Sequence, residues 1–284
     1  MNIGIRLHDV AGNGLEEKLR NAKAQGFTCV HLAMQKVIPG FNMADAPKLL
    51  TPELAAEVSG LVKKYGLKVA VLGCYLNLGS PDEEEIARTT EIYKAHLRFA
   101  GMIGAQCVGT ETGDPNTTYT YTPECETEES LQLFIRRLTP IVRYAEEVGQ
   151  VVAIEPVRTH IVWNADRAVK VLEAVSSPNL KIILDSINLL LTDYVLPEDH
   201  TTGIIEDALN RLGDRIVVLH MKDYTREPGT FRAPSCACGT GVMDYTPLLT
   251  FAKQHPGLPM TLEDTIPENA EAARLHLEKV GAAL

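Results

Sequence analysis

A parallel eight-stranded (β/α)8 barrel is the fold this sequence predicts, on three observations. Eight short, continuously apolar runs recur along the 284 residues, amphipathic stretches separate them, and the later runs end in acidic or histidine side chains. Continuously apolar runs imply burial on both faces, as in a parallel sheet covered by helices, and the intervening stretches supply those helices. About 250 residues is ordinary for one such barrel, so residues 1–284 read as one domain.

The strand candidates are Asn2–Leu7, Cys29–Met34, Lys68–Leu76, Cys107–Thr112, Val151–Pro156, Lys181–Asp185, Ile216–Lys222 and Pro259–Asp264. Each is too short and too uniformly apolar for a helix. In the helical stretches, Ser80-Pro81-Asp82-Glu83 reads as a capping Ser, a Pro at the first position and a Glu three residues on, opening a helix to about Met102. Thr51-Pro52, Asn164 and Thr246-Pro247 read as further starts, and Gly66, Gly104, Gly149 and Gly213 as C-caps. Pro267 to Val280, rich in Ala, Leu and Glu, supplies the last helix. The whole is a single (β/α)8 TIM barrel.

Composition narrows the function. A hydrophobic content of 45% with 23% charged residues is that of a soluble globular chain with a sizeable core. The formal net charge of −10, without a dense Lys/Arg cluster, argues against nucleic acid as a partner. No apolar stretch approaches the roughly 20 residues that cross a bilayer, and the first residues enter a strand without the pattern of a signal peptide. The expectation is a cytoplasmic protein with no membrane role, its six cysteines reduced. Monomer and homo-oligomer are both left open.

In a barrel of this kind the active-site groups project from the C-terminal ends of the strands. There the fifth run delivers Glu155, the sixth Asp185, the seventh His220 and the eighth Glu263. Four neighbouring strands that bring Glu, Asp, His and Glu to one rim suit a hard or borderline divalent metal, with Mn²⁺, Mg²⁺, Co²⁺ and Zn²⁺ all admissible. The alternative reading of each acidic residue alone is a cap or turn. Their joint placement favours the metal, because buried carboxylates require a partner.

With these segments in view, the chain resembles the xylose-isomerase-like barrel superfamily of sugar isomerases and epimerases, including the ketose 3-epimerases. The resemblance rests on Ala153-Ile154-Glu155-Pro156, Ile183-Leu184-Asp185, Leu219-His220-Met221-Lys222-Asp223, Gly239-Thr240-Gly241-Val242-Met243-Asp244 and Thr261-Leu262-Glu263. It implies that Glu155 and Glu263 bind the metal and also flank the substrate carbon, one removing the proton beside a polarised carbonyl and the other returning it from the opposite face. The implied substrate is a small sugar or polyol-derived ketone, and the implied path runs through an enediolate. Many relatives carry a His where this chain has Asn188, and Asn can donate to a hydroxyl but cannot transfer a proton near neutral pH.

Other candidates surround this set. Lys222 is a substrate contact or a carboxylate's partner, and Arg232 in the loop after the seventh run is a substrate contact or a solvated side chain. Glu111, ending the fourth run, is a substrate contact or a structural partner. Of Arg158, His160 and Trp163, in the loop after the fifth run, His160 is taken as lining the pocket. His8 stands at the rim. His31, His96, His200, His255 and His276 receive no role and are placed away from the mouth, His31 being the nearest. Gly239-Thr240-Gly241 reads as a tight turn or a phosphate cradle on backbone N–H groups, which leaves phosphorylated substrates open, and Cys236-Ala237-Cys238 as a loop, since no further Cys or His completes a tetrahedral set.

The leading expectation is a metal-dependent isomerase or epimerase. The alternative is a dehydratase of an inosose-like or sugar-derived ketone, in which the same enediolate expels a β-hydroxyl. A repair-type endonuclease would need further His ligands and a basic face, and a non-catalytic sugar-binding barrel would not need four ligands.

Overall fold

A computed structural model of the chain describes residues 1–190, 200–226 and 234–284. Ten strands are described: β1 (Asn2–Arg6), β2 (Cys29–Leu32), β3 (Lys68–Gly73), β4 (Cys107–Glu111), β5 (Val152–Glu155), β6 (Leu180–Asp185), β7 (Ile216–Met221), β8 (Asp223–Tyr224), β9 (Ser235–Cys236) and β10 (Pro259–Leu262). Eight of them close in the order β1-β10-β7-β6-β5-β4-β3-β2, every pairing parallel, and helices lie between successive barrel strands. The chain is a (β/α)8 barrel, as expected. Among the described residues no helix is long and apolar enough to cross a membrane.

All eight expected runs form strands, with trimmed ends. The runs drawn to Met34, Leu76, Pro156, Lys222 and Asp264 stop at Leu32, Gly73, Glu155, Met221 and Leu262, so Lys222 and Glu263 each lie just past a strand. The long helix Glu83–Ile103 starts later than expected: Asp82, not Ser80, is its cap, its carboxylate accepting from the backbone N–H of Glu84 and Glu85. Ser80 instead donates to Glu85 Oε2 at 2.5 Å. Thr51 and Asn164 do cap their helices, accepting from Leu54 and Arg167, and Gly104 and Gly149 end theirs in the left-handed conformation. The helix after the glycine turn begins at Thr246, and the last spans Ala270–Ala283.

Two apolar regions hold the barrel together. The larger lies between strands and helices, with Phe27, Phe99, Phe134, Leu72 and Leu219 fully buried. The smaller gathers Cys29, Val71, Cys107, Ala153, Ile183 and Val218. Because side chains alternate along a strand, these share a face with the residue two positions on: Cys29 with His31, Val71 with Gly73, Cys107 with Gly109, Ala153 with Glu155, Ile183 with Asp185 and Val218 with His220. Small and branched side chains therefore fill the barrel, and the polar groups form the next layer, toward the C-terminal mouth.

Candidate active site at the mouth of the barrel

Glu155, Asp185, His220 and Glu263 meet in this polar layer, none more than 5% exposed. His220 Nδ1 is 3.3 Å from Glu155 Oε2 and 3.1 Å from Glu263 Oε1. Ligand atoms of Glu155, Asp185 and His220 lie within 4.8 Å of one another, as do those of His31, His220 and Glu263. Two donors about 2.1 Å from a shared cation stand about 3.0–3.4 Å apart at octahedral to tetrahedral angles, so the His220 separations are those of a common centre. Neither ring nitrogen of His220 has a hydrogen-bond partner among the described residues. Orphaned buried nitrogens surrounded by carboxylates fit a divalent cation.

Three carboxylates cannot be buried together without compensation. Lys222, just beyond β7, brings its ammonium to 2.8 Å from Asp185 Oδ2 and 3.1 Å from Glu263 Oε2, and Arg6 of β1 stands 3.5 Å from Glu263. Lys222 is thus paired with carboxylates, one of the two roles expected of it. Asn188 donates to Glu155 Oε1 at 2.7 Å and accepts from Lys222 at 3.3 Å. It is held there because Asp185 Oδ1 accepts from the backbone N–H of Ile187 and Asn188, turning the chain back over the mouth.

The titration of the cluster follows these contacts. Burial pushes the Asp185 carboxyl up, with Lys222 opposing. Burial acts the same way on Glu263, but His220, Lys222, Arg6 and His31 outweigh it and hold that carboxyl well below the usual range. Burial would lower His220, yet Glu263 and Glu155 raise it to about 9. Burial likewise opposes the charge on Lys222, and Asp185, Glu263 and Glu155 hold it well above the usual ammonium value. The cluster is a set of acceptors and one imidazole that favours positive charge at its centre.

Glu111 and His160 lie together at the next station of the mouth, Glu111 beside Glu155 in register. The Tyr119 hydroxyl donates to Glu111 Oε2 at 3.1 Å, and His160 Nδ1 stands 3.9 Å from the same oxygen. Burial raises the Glu111 carboxyl and lowers the His160 imidazole. His8 lies 3.7 Å from Asp9, and Arg158 stacks on Trp163 at 4.6 Å. Arg232 and its part of the loop lie outside the described residues.

One placement corrects the sequence reading. His31 is 2% exposed and lies in the mouth, stacked with Tyr75 and with His220 at ring-centroid distances of 5.7 and 5.4 Å. Arg6 and Tyr75 were not expected there either. The signal for His31 and Arg6 was the two-residue period: each stands two positions after a small interior residue, Cys29 and Gly4, in phase with the acidic set. Gly73 makes room for the stack, since a Cβ there would lie 2.8 Å from His31 Nε2. The register shift between Val30 and His31 lies at the same place.

The glycine turn is fully used by the protein itself. The Asp223 carboxylate accepts from the backbone N–H of Tyr224, Gly239, Gly241 and Met243, so the turn is closed by the protein's own carboxylate, which engages both glycine N–H groups. Asp223 and Tyr224 also pair antiparallel with Cys236 and Ser235, a hairpin the sequence did not announce. Cys238 is buried, and among the described residues no group of candidate metal ligands includes a cysteine.

A parallel barrel whose mouth gathers carboxylates around a histidine defines the class of protein. The chain belongs to the xylose isomerase-like TIM barrel family, whose model matches residues 19–280. Solved structures extend the likeness over its whole length. A 3-keto-D-glucoside 4-epimerase from E. coli superposes with a TM-score of 0.74 at 18% identity, over 98% of this chain and 99% of that one. A probable 3-DHS dehydratase of petrobactin synthesis from Bacillus anthracis gives 0.73 at 14%, over 99% and 98%. A xylose isomerase-like TIM barrel protein from Mycobacterium smegmatis, in complex with magnesium, gives 0.70 at 17%, over 100% and 97%. No curated protein is significantly similar to the sequence.

Proposed function

We propose that this protein is a metal-dependent isomerase or epimerase of a small sugar or polyhydroxylated ketone, with Glu155, Asp185, His220 and Glu263 holding the cation. The observation that carries the proposal is the convergence of Glu155 and Glu263 on the same nitrogen of His220. The E. coli epimerase and the magnesium-bound M. smegmatis barrel support the reaction class and the metal. A bound divalent cation supplies Lewis acidity that polarises a carbonyl and acidifies the adjacent C–H.

The protein's own groups do the rest. One glutamate takes the proton from the carbon beside the carbonyl, and the other, protonated beforehand, gives its proton to the opposite face of the same carbon. The sum is inversion with no change of mass, and solvent exchange resets the two carboxyls. Lys222 holds Asp185 and Glu263 in place, and Asn188 orients Glu155. Asn188, Glu111, His160, Arg232 and Lys222 are the proposed substrate contacts.

Dehydration is the second reading, supported by the B. anthracis neighbour and by an ammonium, Lys222, that can stabilise a departing hydroxyl. A screen of ketoses and inosose-like ketones in deuterated water separates the two: epimerisation places one deuterium without loss of mass as water, dehydration yields an absorbing enone. Glu155→Gln and Glu263→Gln are each expected to lower turnover by about 10²–10⁴-fold while each still exchanges the proton of one epimer. Wild-type exchange from both epimers in either variant overturns the pair.

A further inference from the structure

We infer that His31 is a further ligand of the cation at this mouth, making the centre a two-imidazole site that favours zinc or cobalt over magnesium. The inference rests on the proposed metal dependence and goes beyond it, because the four-residue set contains one imidazole only. His31 Nδ1 is buried without a hydrogen-bond partner among the described residues, and it stands 3.8 Å from Glu263 Oε1. Its other nitrogen is 3.5 Å from the Tyr75 hydroxyl, which leaves Nδ1 as the atom turned toward the carboxylates. His31, His220 and Glu263 place one donor atom each within 4.8 Å of one another.

The surroundings of His31 fix its ring. Tyr75 and His220 each stack with it, at interplanar angles of 26° and 23°, and Gly73 leaves the space that a side chain would take. A ring stacked with two neighbours, with an unpaired nitrogen facing a buried carboxylate, is arranged as metal-ligating imidazoles are: one nitrogen held, the other free to coordinate. Imidazole suits zinc, cobalt and copper, whereas magnesium takes oxygen ligands, so a second nitrogen changes which metal is preferred.

X-ray absorption on the zinc-loaded full chain tests this, because scattering from imidazole rings counts them independently of activity. Two imidazoles in the wild type and one in His31→Phe, which keeps an aromatic ring in the stack, are expected. Competition binding should show zinc affinity falling more than tenfold in His31→Phe with magnesium affinity unchanged. One imidazole in the wild type overturns the inference and leaves the four-residue site standing. A chain that takes up no zinc, cobalt or magnesium overturns both.

Discussion

Lys222 is the residue on which the charge balance of the mouth turns. Its ammonium touches Asp185, Glu263 and Asn188 while the residue is 7% exposed, so it cannot be removed without leaving buried carboxylate charge unpaired. Breaking one side of a buried ion pair costs about 3–5 kcal/mol. Lys222→Met is therefore expected to unfold at a markedly lower temperature than the wild type in EDTA and to recover most of the loss in saturating zinc, since a divalent cation at the proposed site would replace the missing charge. Thermal unfolding with and without metal measures it; a loss that zinc does not restore counts against a shared cation position. His220→Ala and Asp185→Asn should behave oppositely, losing bound metal on elemental analysis, and full occupancy in both would remove them from the site. Glu155, Asp185, His220 and Glu263 were legible as strand-end residues. His31 and Arg6 were not, because His31 lies inside its apolar run, with Leu32 to Met34 following, and an arginine is not a metal ligand. Their place shows only in the phase, two positions past the small side chains that fill the barrel.

At the scale of elements, the helix Glu83–Ile103 carries a titrating group in its buried face. His96 is fully buried, its Nδ1 lies 2.9 Å from the Ile92 carbonyl, and burial lowers its pKa from 6.5 to about 4, the carbonyl opposing. The folded state thus binds the proton less readily than the unfolded one. Stability from this group is complete above pH 6.5 and is lost as the pH falls toward 4, by about 3 kcal/mol over the window. His96→Leu keeps the apolar face of the helix without the titration. The unfolding free energy of the wild type relative to His96→Leu should shrink between pH 7 and pH 4.5 in denaturant titrations; a constant difference would remove His96 as a source of acid sensitivity. The helices themselves were legible from periodicity and caps, with Asp82 displacing Ser80 because a carboxylate can accept from two N–H groups at once. The β8–β9 hairpin was not, because its two-residue strands depend on Asp223 gathering N–H groups up to 20 residues away, which no local pattern encodes.

At the scale of the whole molecule, the site exists because the barrel beneath it is filled. Gly4, on the same face of β1 as Arg6, shows how tightly: a Cβ there would meet the Cys29 carbonyl oxygen and Sγ, each at 2.5 Å. The carbonyl is part of the β1–β2 ladder and cannot yield without moving the strand that carries His31. Adding a methyl to such a position costs about 1–3 kcal/mol through strain. Gly60 offers the opposite case, exposed in the middle of the helix Pro52–Lys64 with nothing within 4 Å of where a Cβ would stand, so alanine there should add about 1 kcal/mol through helix propensity. Gly4→Ala is therefore expected to lower the denaturant midpoint and Gly60→Ala to raise it, although both make the same chemical change. The consequence reaches the mouth: if β1 and β2 move apart to admit the methyl, Arg6 and His31 shift together, and Gly4→Ala should also weaken the proposed metal binding while Gly60→Ala leaves it unchanged. Equal midpoints for the two variants would show that the barrel interior has slack, and the layer of polar groups above it would then owe its geometry to the loops rather than to the strands.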